Sequence, residues 1–262
     1  MKRAFIFLYG LIAYVFMLVT IGYLIAFVGN FLVPVTIDGE PTRPFMEALL
    51  INLGLIGLFA LQHSLMARRR FKDWWEKVLP KAMDRSTYVL ATCACLLLLF
   101  KYWEPLGGTI WEVQNEIMAT LLYTLFFIGW SLMLISTFLI SHWDLFGLRQ
   151  VYLNLVHRPY TALDLKKPLF YKKIRHPLYL GLLIGIWFTP YMTVTHFVFS
   201  LAMTAYVLMG IKLEEKDLVR DFGERYIDYR RKVPTLLPFR FKKPSTLRQS
   251  GFSRDTVQPD RN

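Results

Sequence analysis

The chain has 262 residues, of which 55% are hydrophobic, and its formal net charge is +12 at pH 7. Its long unbroken apolar runs exclude an ordinary soluble domain and predict one polytopic membrane domain. The positive charge lies in the loops between these runs, which is typical of membrane topology and contact with the lipid bilayer and argues against nucleic-acid binding. The two cysteines, Cys93 and Cys95, lie in one apolar run and predict neither a disulfide framework nor a metal site.

Four apolar runs are each long enough to cross a hydrocarbon core about 30 Å thick at about 1.5 Å per residue. They cover residues 4–33, 46–66, 86–103 and 117–141. Two shorter runs, 178–193 and 195–211, flank Thr189 and Pro190 and predict a tight helical hairpin over residues 178–211. This hairpin either spans the membrane or stops short of the far face. The sequence therefore predicts an all-α integral membrane helix bundle of five to six spans.

Lysine and arginine are concentrated at the N-terminus and in loops 67–85 and 142–177, whereas loops 34–45 and 103–116 are mainly acidic. By the positive-inside rule, both termini are expected in the cytoplasm. After the hairpin, apolar residues at helical spacing predict a cytosolic helix over residues 212–232, which Pro234 ends. Residues 242–262 are polar without periodicity and are expected to be disordered.

The segment Arg175-His176-Pro177 predicts the start of a helix, because proline is well tolerated in the first helical turn. The free N–H groups of Tyr179, Leu180 and Gly181 are then available to an anion such as a carboxylate. Gly181 also permits close approach to the backbone. The alternative is an ordinary interface anchor, with Arg175 and His176 at the lipid headgroups.

Glu214 and Glu215 directly follow an apolar run, where anionic lipids disfavour paired acids. A bound amino group and a ribose are natural partners for two carboxylates. The alternative is a helix-end pair with neighbouring lysines. Tyr226 and Tyr229 share one helix face and are candidates to flank an adenine, with simple helix packing as the alternative.

The segment from His142 to Gln150 ends the fourth run and places His142 and Asp144 at a membrane boundary. Titratable groups there indicate a functional site. The alternative is a capped helix end, where a histidine is favoured by the helix dipole. Among the other histidines, His63 lies in a polar triplet inside the second run, and we expect it to be structural.

The series from Arg175 through Glu214, Tyr229 and Pro238 resembles the membrane-bound S-adenosylmethionine (SAM) methyltransferases related to isoprenylcysteine carboxyl methyltransferase. This resemblance covers roughly residues 142–240. It implies N-terminal transmembrane helices over residues 1–141 and a catalytic, SAM-binding half with a cytosolic cap over residues 142–241. The implied SAM-binding residues are Arg175, His176, Pro177, Tyr179, Leu180, Gly181, Glu214, Glu215, Tyr226 and Tyr229.

The segment 142–151, with residues 158–161 and 189–196, is similar to the bacterial methanethiol S-methyltransferases, whose membrane part resembles the nitrite-reductase-associated NnrU proteins. The similarity implies methylation of a small thiol in the bacterial inner (cytoplasmic) membrane. We expect His142 or Asp144 to remove the thiol proton and Arg149 to favour the thiolate. The expected substrate-binding residues are Trp143, Phe146, Leu148, Gln150, Trp187 and Met192.

Two other functions remain open at this stage. A phospholipid or other lipid methyltransferase of the same superfamily would share the SAM half but needs a lateral groove between helices. A non-enzymatic NnrU-type membrane protein would need neither Glu214 and Glu215 nor the two tyrosines behind the Arg175 segment. The sequence leaves open the oligomeric state and the identity of the base.

Overall fold

The computed structural model describes residues 1–165 and 167–238, so the predicted polar tail at 242–262 lies outside the described residues. The described part is mainly helical, with two short strands and two 3-10 turns, Lys81–Met83 and Leu169–Lys172. The helices are α1 (Lys2–Gly29), α2 (Phe45–Met66), α3 (Arg69–Trp75), α4 (Asp84–Tyr102), α5 (Glu116–Ile140), α6 (His142–Leu145), α7 (Leu148–Leu155), α8 (Pro177–Trp187), α9 (Val194–Phe222) and α10 (Glu224–Lys232). The strands are β1 (Thr109–Glu112) and β2 (Tyr191–Thr193).

The predicted polytopic helix bundle is confirmed. In the described ranges, five helices are long and apolar enough to cross a membrane: α1, α2, α4 with its preceding 3-10 turn, α5 and α9. The first four match the first four apolar runs of the sequence to within a few residues at each end. Hydropathy and length therefore locate these four spans correctly.

The first arm of the predicted hairpin over residues 178–211 is shorter than its apolar run, 178–193. Helix α8 has only 11 residues and ends at Trp187, and an extended segment follows it to β2. Residues 212–232 are helical as predicted, but they form two helices, because α9 continues without a break to Phe222. The break falls instead at Gly223, whose φ of 56° is accessible to glycine at little cost, and α10 follows it.

Helix α8 ends where its last carbonyls find partners on α9. The carbonyl oxygen of Ile186 accepts hydrogen bonds from His196 Nε2 at 2.9 Å and from Ser200 Oγ at 2.8 Å. Pro190 follows closely and favours an extended conformation for the residue before it. These two hydrogen bonds hold the end of α8 against α9.

The segment 177–193 runs from one end of the bundle to the other although α8 is short. Its first residue, Pro177, follows His176, whose ring contacts Glu215 near the end of α9. Its last residues form β2, which pairs antiparallel with β1 in the connection between α4 and α5. Non-helical backbone is tolerated in an apolar layer only when protein surrounds it, and Thr189, Pro190, Met192 and Thr193 are all buried.

Glycines allow α5 and α8 to pack backbone against backbone. A Cβ atom added to Gly181 would lie 2.5 Å from the Met133 nitrogen and 2.6 Å from the Gly129 oxygen. A Cβ atom on Gly129 would in turn lie 2.5 Å from the Gly185 nitrogen. Small residues at such contacts are a common feature of helix packing in membranes.

The main apolar core lies toward the end of the bundle that carries β1 and β2, which we call the strand end. It includes Phe27, Trp103, Phe126 and Phe199, and Trp103 Nε1 donates to the Ile37 carbonyl at 3.0 Å. We call the opposite end, which carries Arg68, Arg85 and Glu214, the charged end. Dense packing at the strand end leaves the charged half of the bundle as the place for a large cavity.

Replacing Gly181 by valine is expected to destabilise the protein by about 2 kcal/mol, because the new side chain must push backbone apart. Thermal unfolding in detergent measures the effect. Gly54→Val is the matched control, since a Cβ atom there meets nothing within 4 Å, and it should change the unfolding temperature much less. Equal unfolding temperatures for both variants would contradict the packing argument.

Candidate active site

A cavity of about 500 Å³ opens between α1, α2, α4, α5 and α9, and we call it the central cavity. This volume is within the range of small-molecule sites in proteins. Its inner wall is apolar and sulfur-rich, with contributions from Met17, Ile21, Cys93, Leu96 and Met133. The cavity can therefore accept a small apolar molecule at its inner end.

The mouth of the central cavity lies at the charged end. Arg68, Arg85, Glu214, Asp217 and Asp221 line it. Arg68 donates to Asp217 at 3.1 Å, which joins the start of α3 to α9 across the opening. Both signs of charge are thus present where a zwitterionic ligand would enter.

Polar side chains also line the wall between the mouth and the inner end. His63 and Ser64 come from α2, Tyr88 and Thr92 from α4, and Tyr206 from α9. Tyr88 Oη lies 2.8 Å from His63 Nε2, and Tyr206 Oη lies 3.3 Å from Ser64 Oγ. The sequence singled out the triplet containing His63 and Ser64 but assigned it a structural role, and it gave no signal for the two tyrosines.

The structure brings Arg175, His176 and Glu215 together in a cluster that we call the latch. Arg175 donates through Nε to Glu215 at 2.7 Å, and His176 Nε2 lies 3.0 Å from the same carboxylate. The side chains of Arg175 and Glu215 are 8% and 12% exposed. The latch therefore fixes the start of α8 against α9 with a largely buried ion pair.

The remaining donors of Arg175 hold the residues after α10. Its guanidinium donates to the carbonyls of Arg230, at 3.2 Å, and of Val233, and to Thr235 Oγ1 at 2.8 Å. The backbone N–H groups of Arg175 and His176 donate to the carbonyls of Pro234 and Thr235. These contacts of Arg175 join the start of α8 to the end of α10 and the residues that follow it.

Tyr179 and Glu214 extend from the latch to the wall of the central cavity. Tyr179 Oη donates to Glu214 Oε2 at 2.8 Å, and both residues line the cavity. Glu214 is 44% exposed along its side chain, so one carboxylate of the acidic pair remains accessible from the mouth. The two adjacent glutamates therefore have different surroundings: Glu215 is enclosed and Glu214 is open.

The other predicted SAM-binding residues lie around this pair. Pro177 occupies the first turn of α8, and the Leu180 N–H donates to the His176 carbonyl at 3.0 Å. Gly181 faces the backbone of α5. Its missing side chain is used there in helix packing.

Tyr226 and Tyr229 pack against each other behind the latch, with ring centroids 5.8 Å apart. Burial raises the pKa of Tyr229 to about 12, and its hydroxyl donates to the Tyr171 carbonyl at 2.5 Å. Burial also raises the pKa of Tyr226, which is 1% exposed and whose hydroxyl has no hydrogen-bond partner among the described residues. Both tyrosines remain neutral phenols at physiological pH.

The structure places His142 beside the central cavity but behind Thr137. Its Nδ1 lies 2.7 Å from Thr137 Oγ1 and its Nε2 lies 2.9 Å from Tyr14 Oη. The ring stacks on Phe138 with centroids 3.9 Å apart. Burial lowers the pKa of His142, so it is a neutral imidazole with both nitrogens occupied by hydroxyl groups.

Asp144 lies in a different cavity, of about 580 Å³, at the charged end, and we call it the outer cavity. Arg149 donates to Asp144 Oδ1 at 2.8 Å, and Tyr160 donates to Oδ2 at 3.2 Å. Gln150 Nε2 donates to the Asp144 carbonyl at 3.0 Å and lines the same outer cavity. The structure therefore does not bring Asp144, Arg149 and His142 into one cavity.

Among the predicted substrate-binding residues, Phe146 lines the central cavity. Trp143 is 52% exposed and packs on Tyr14. Leu148 packs at the start of α1, whereas Trp187 donates to Thr204 Oγ1 at 2.9 Å. Met192 is buried in β2 near the strand end. These positions do not form one pocket, because the two segments that carry them lie at opposite ends of the bundle.

The chain is similar to several known proteins over most of its length. A methanethiol S-methyltransferase of Crocosphaera subtropica is 50% identical over 243 residues, which cover 93% of this chain and 95% of the relative. A protein of the same name from Mycobacterium tuberculosis is 44% identical and matches 91% of this chain and 98% of the relative. Human Nurim is 32% identical over 67% of this chain and 70% of its own length. No family model matches the chain, and no solved structure gives a significant match.

Replacing Glu215 by methionine is expected to destabilise the fold by about 3 kcal/mol, because Arg175 would remain buried without its counter-charge. Thermal unfolding in detergent measures the loss. The double variant Arg175→Met with Glu215→Met is the matched control and should lose less than the sum of the two single variants. Strict additivity would show that the ion pair contributes nothing to the latch.

The stability of the fold should fall below about pH 6.5, in part through His142. An unfolded histidine takes up a proton near that pH. The buried ring, with its lowered pKa, resists protonation until lower pH, so stability is present above this range and is lost as the pH falls through it. The unfolding temperature of His142→Gln should therefore change less between about pH 7.5 and about pH 5.5 than that of the wild type. His157→Gln, which changes an exposed histidine, should keep the wild-type slope.

Proposed function

The chain belongs to the methanethiol S-methyltransferase family and is a methyltransferase, and from this premise we propose that it transfers the methyl group of SAM to methanethiol. The products are dimethyl sulfide and S-adenosylhomocysteine. Membership of this family was predicted from the sequence and is confirmed. The observation that carries the proposed reaction is the central cavity, which joins a charged mouth to a small apolar inner end.

The residues of the central cavity fit the chemistry of SAM. Glu214, Asp217 and Asp221 offer carboxylates to an ammonium group and to ribose hydroxyls, and Arg68 offers a guanidinium to a carboxylate. The aromatic faces of Tyr88 and Tyr206 suit a positively charged sulfonium. When bound, SAM supplies an activated methyl group.

The inner end of the cavity fits methanethiol. This acceptor has one carbon and one sulfur, so it offers few groups to bind and must be positioned by the shape of the pocket. Met17, Cys93 and Met133 provide soft, polarisable contacts to sulfur. A site enclosed by helices also excludes water and holds the thiol sulfur in line with the methyl group.

We assign the predicted SAM-binding residues two kinds of role. Glu214 and Tyr179 line the cavity and contact the cofactor. Arg175, His176 and Glu215 act as positioning residues, because their described contacts fix α8 to α9 and thereby set the place of Glu214. Tyr226 and Tyr229 support the latch from behind.

We assign the segment from His142 to Gln150 a supporting role as well. His142 is hydrogen-bonded to Tyr14 and Thr137 and holds α6 against α1 and α5. Asp144 and Arg149 pair with each other in the outer cavity and fix the loop that carries Phe146 to the central cavity. This assignment differs from the proton-removal role that the sequence predicted for His142 or Asp144.

The charge distribution supports a location in the bacterial inner membrane with the charged end in the cytoplasm. Arg68, Arg69, Arg70 and Lys72 lie at this end, as the positive-inside rule requires. The mouth of the central cavity then opens to the compartment that holds SAM. Methanethiol and dimethyl sulfide are small and apolar, so both can reach or leave the inner end through the bilayer.

Purified protein in detergent is expected to form dimethyl sulfide only when both SAM and methanethiol are present, as measured by headspace gas chromatography. Glu214→Gln should weaken SAM binding about tenfold, since a charged hydrogen-bond acceptor is lost. Isothermal calorimetry measures this affinity. Glu116→Gln is the control, because it makes the same change in an exposed residue at the start of α5.

Two outcomes would contradict the proposal in different ways. SAM binding without dimethyl sulfide would keep the methyl donor but move the acceptor to a lipid or another small molecule. Unchanged affinity in Glu214→Gln would remove Glu214 from the cofactor site while leaving the reaction intact.

A further inference from the structure

We infer that His63 and Tyr88 together accept the proton of the thiol inside the central cavity. The inference rests on the proposed function and adds the residues that activate its acceptor. A thiol is a poor nucleophile until it loses its proton, so an enzyme that methylates it in a dry pocket needs a proton acceptor there. Of the two residues predicted for this task, neither lines the central cavity.

His63 is placed where a proton acceptor is needed. It lies in the last turn of α2, inside a membrane-spanning segment, and its ring borders the central cavity between the charged mouth and the apolar inner end. The imidazole stacks on Phe59, with centroids 5.4 Å apart. Titratable residues inside membrane-spanning helices usually mark functional sites, because their placement there is costly.

Two hydroxyl groups, those of Tyr88 and Thr92, lie within hydrogen-bond distance of the His63 ring nitrogens. Thr92 Oγ1 donates to the Tyr88 carbonyl at 2.9 Å, so this oxygen is an acceptor toward His63 Nδ1, 3.3 Å away. In the tautomer with a proton on Nδ1, Thr92 Oγ1 accepts that proton and Nε2 presents a lone pair. Tyr88 Oη lies 2.8 Å from Nε2 and 3.0 Å from Nδ1, and the proposed path uses the nearer nitrogen, Nε2.

This geometry provides a proton path from the cavity to His63. The thiol S–H donates to Tyr88 Oη, and its proton moves to that oxygen as the hydroxyl proton of Tyr88 moves to His63 Nε2. The thiolate sulfur then forms the bond to the methyl carbon while the bond from that carbon to the SAM sulfur breaks, with its electron pair staying on the SAM sulfur. One proton remains on His63 and returns to solvent through the cavity mouth.

Several charged and titratable groups surround the His63 and Tyr88 pair. Arg85 from α4 lies over the Tyr88 ring, with its Cζ 4.9 Å from the centroid, and Arg68 lies at the mouth. Helix α9 contributes Glu214, Asp217 and Asp221, all nearer the mouth. Tyr179, Tyr206 and Cys93 are the other titratable residues of the wall. The positive charge of Arg85 favours release of the Tyr88 proton and opposes a lasting positive charge on His63, so His63 holds the proton only until it passes to solvent.

The test measures dimethyl sulfide formation by His63→Gln and Tyr88→Phe across a range of pH. We expect kcat/KM to fall about 100-fold in each variant near neutral pH, in keeping with loss of a general base. The rate should recover as the pH rises, because free methanethiol then ionises without help. His157→Gln replaces an exposed histidine and should keep the wild-type rate and pH profile.

A second measurement does not depend on turnover. Methanethiol is added to the complex of the protein with S-adenosylhomocysteine, and the ultraviolet absorbance of the thiolate is recorded. The wild type should show bound thiolate near neutral pH and His63→Gln should not. Calorimetry with S-adenosylhomocysteine should give the same affinity for both proteins, which shows that the variant is folded and its cofactor site is intact.

The inference is overturned if either variant keeps the wild-type rate near neutral pH. It is also overturned if the affinity for S-adenosylhomocysteine falls with the rate and high pH restores nothing, because the pair would then serve the cofactor. Failure of the proposed function is a separate result, in which the wild type itself forms no dimethyl sulfide.

Discussion

Backbone N–H and C=O groups have no water to bind in the apolar layer of a membrane, so each must find a partner within the protein. Helix α8 makes this requirement severe, because its 11 residues cover only part of the distance between the two ends of the bundle. At its C-terminal end, His196 and Ser200 bind the Ile186 carbonyl, and β1 then pairs with β2. At its start, the latch binds Arg175 and His176 to α9. The contacts that give the two ends of this short helix their partners therefore organise both ends of the bundle.

The same requirement explains why the candidate site lies where it does. The close contact of α5 with α8 and the dense aromatic core occupy the strand end. Toward the charged end, α9 lines the central cavity from Tyr206 to Asp221, and the start of α8 contributes Tyr179 to its wall. Buried polar side chains such as His63 and Tyr206 are acceptable there because each has a hydrogen-bond partner across the cavity.

The sequence predicted the parts of this structure that depend on local composition. Hydropathy located α1, α2, α4 and α5, and the charge pattern separated the two ends of the bundle. It did not predict the early end of α8 or the strand pair, because both depend on contacts between residues far apart in the chain, such as Ile186 with Ser200 and Trp111 with Met192. Apolar runs of this length are ambiguous between a helix and an extended segment.

The candidate site was also predicted in part from the sequence and missed in part. Motif resemblance grouped Arg175, His176, Tyr179, Glu214 and Glu215, and the structure brings these side chains together. It could not separate Glu214, which is open, from Glu215, which is enclosed, because the two are adjacent in sequence and differ only in which helix they face. The polar wall of the cavity was missed since His63, Tyr88 and Tyr206 come from three helices and share no sequence spacing.

The contacts of Arg175 also set the order in which the protein is assembled. Its acceptors include the carbonyl of Val233 and the hydroxyl of Thr235, and the Thr235 carbonyl binds the His176 N–H. During synthesis these groups emerge only after the five long helices have been made. The charged end therefore closes last, and a ribosome-bound chain that stops before residue 235 holds its helices without a completed latch. Truncation just after α10 would leave the guanidinium of a buried arginine without two of its four partners, the Val233 carbonyl and the Thr235 hydroxyl, so the short segment beyond that helix belongs to the folding unit.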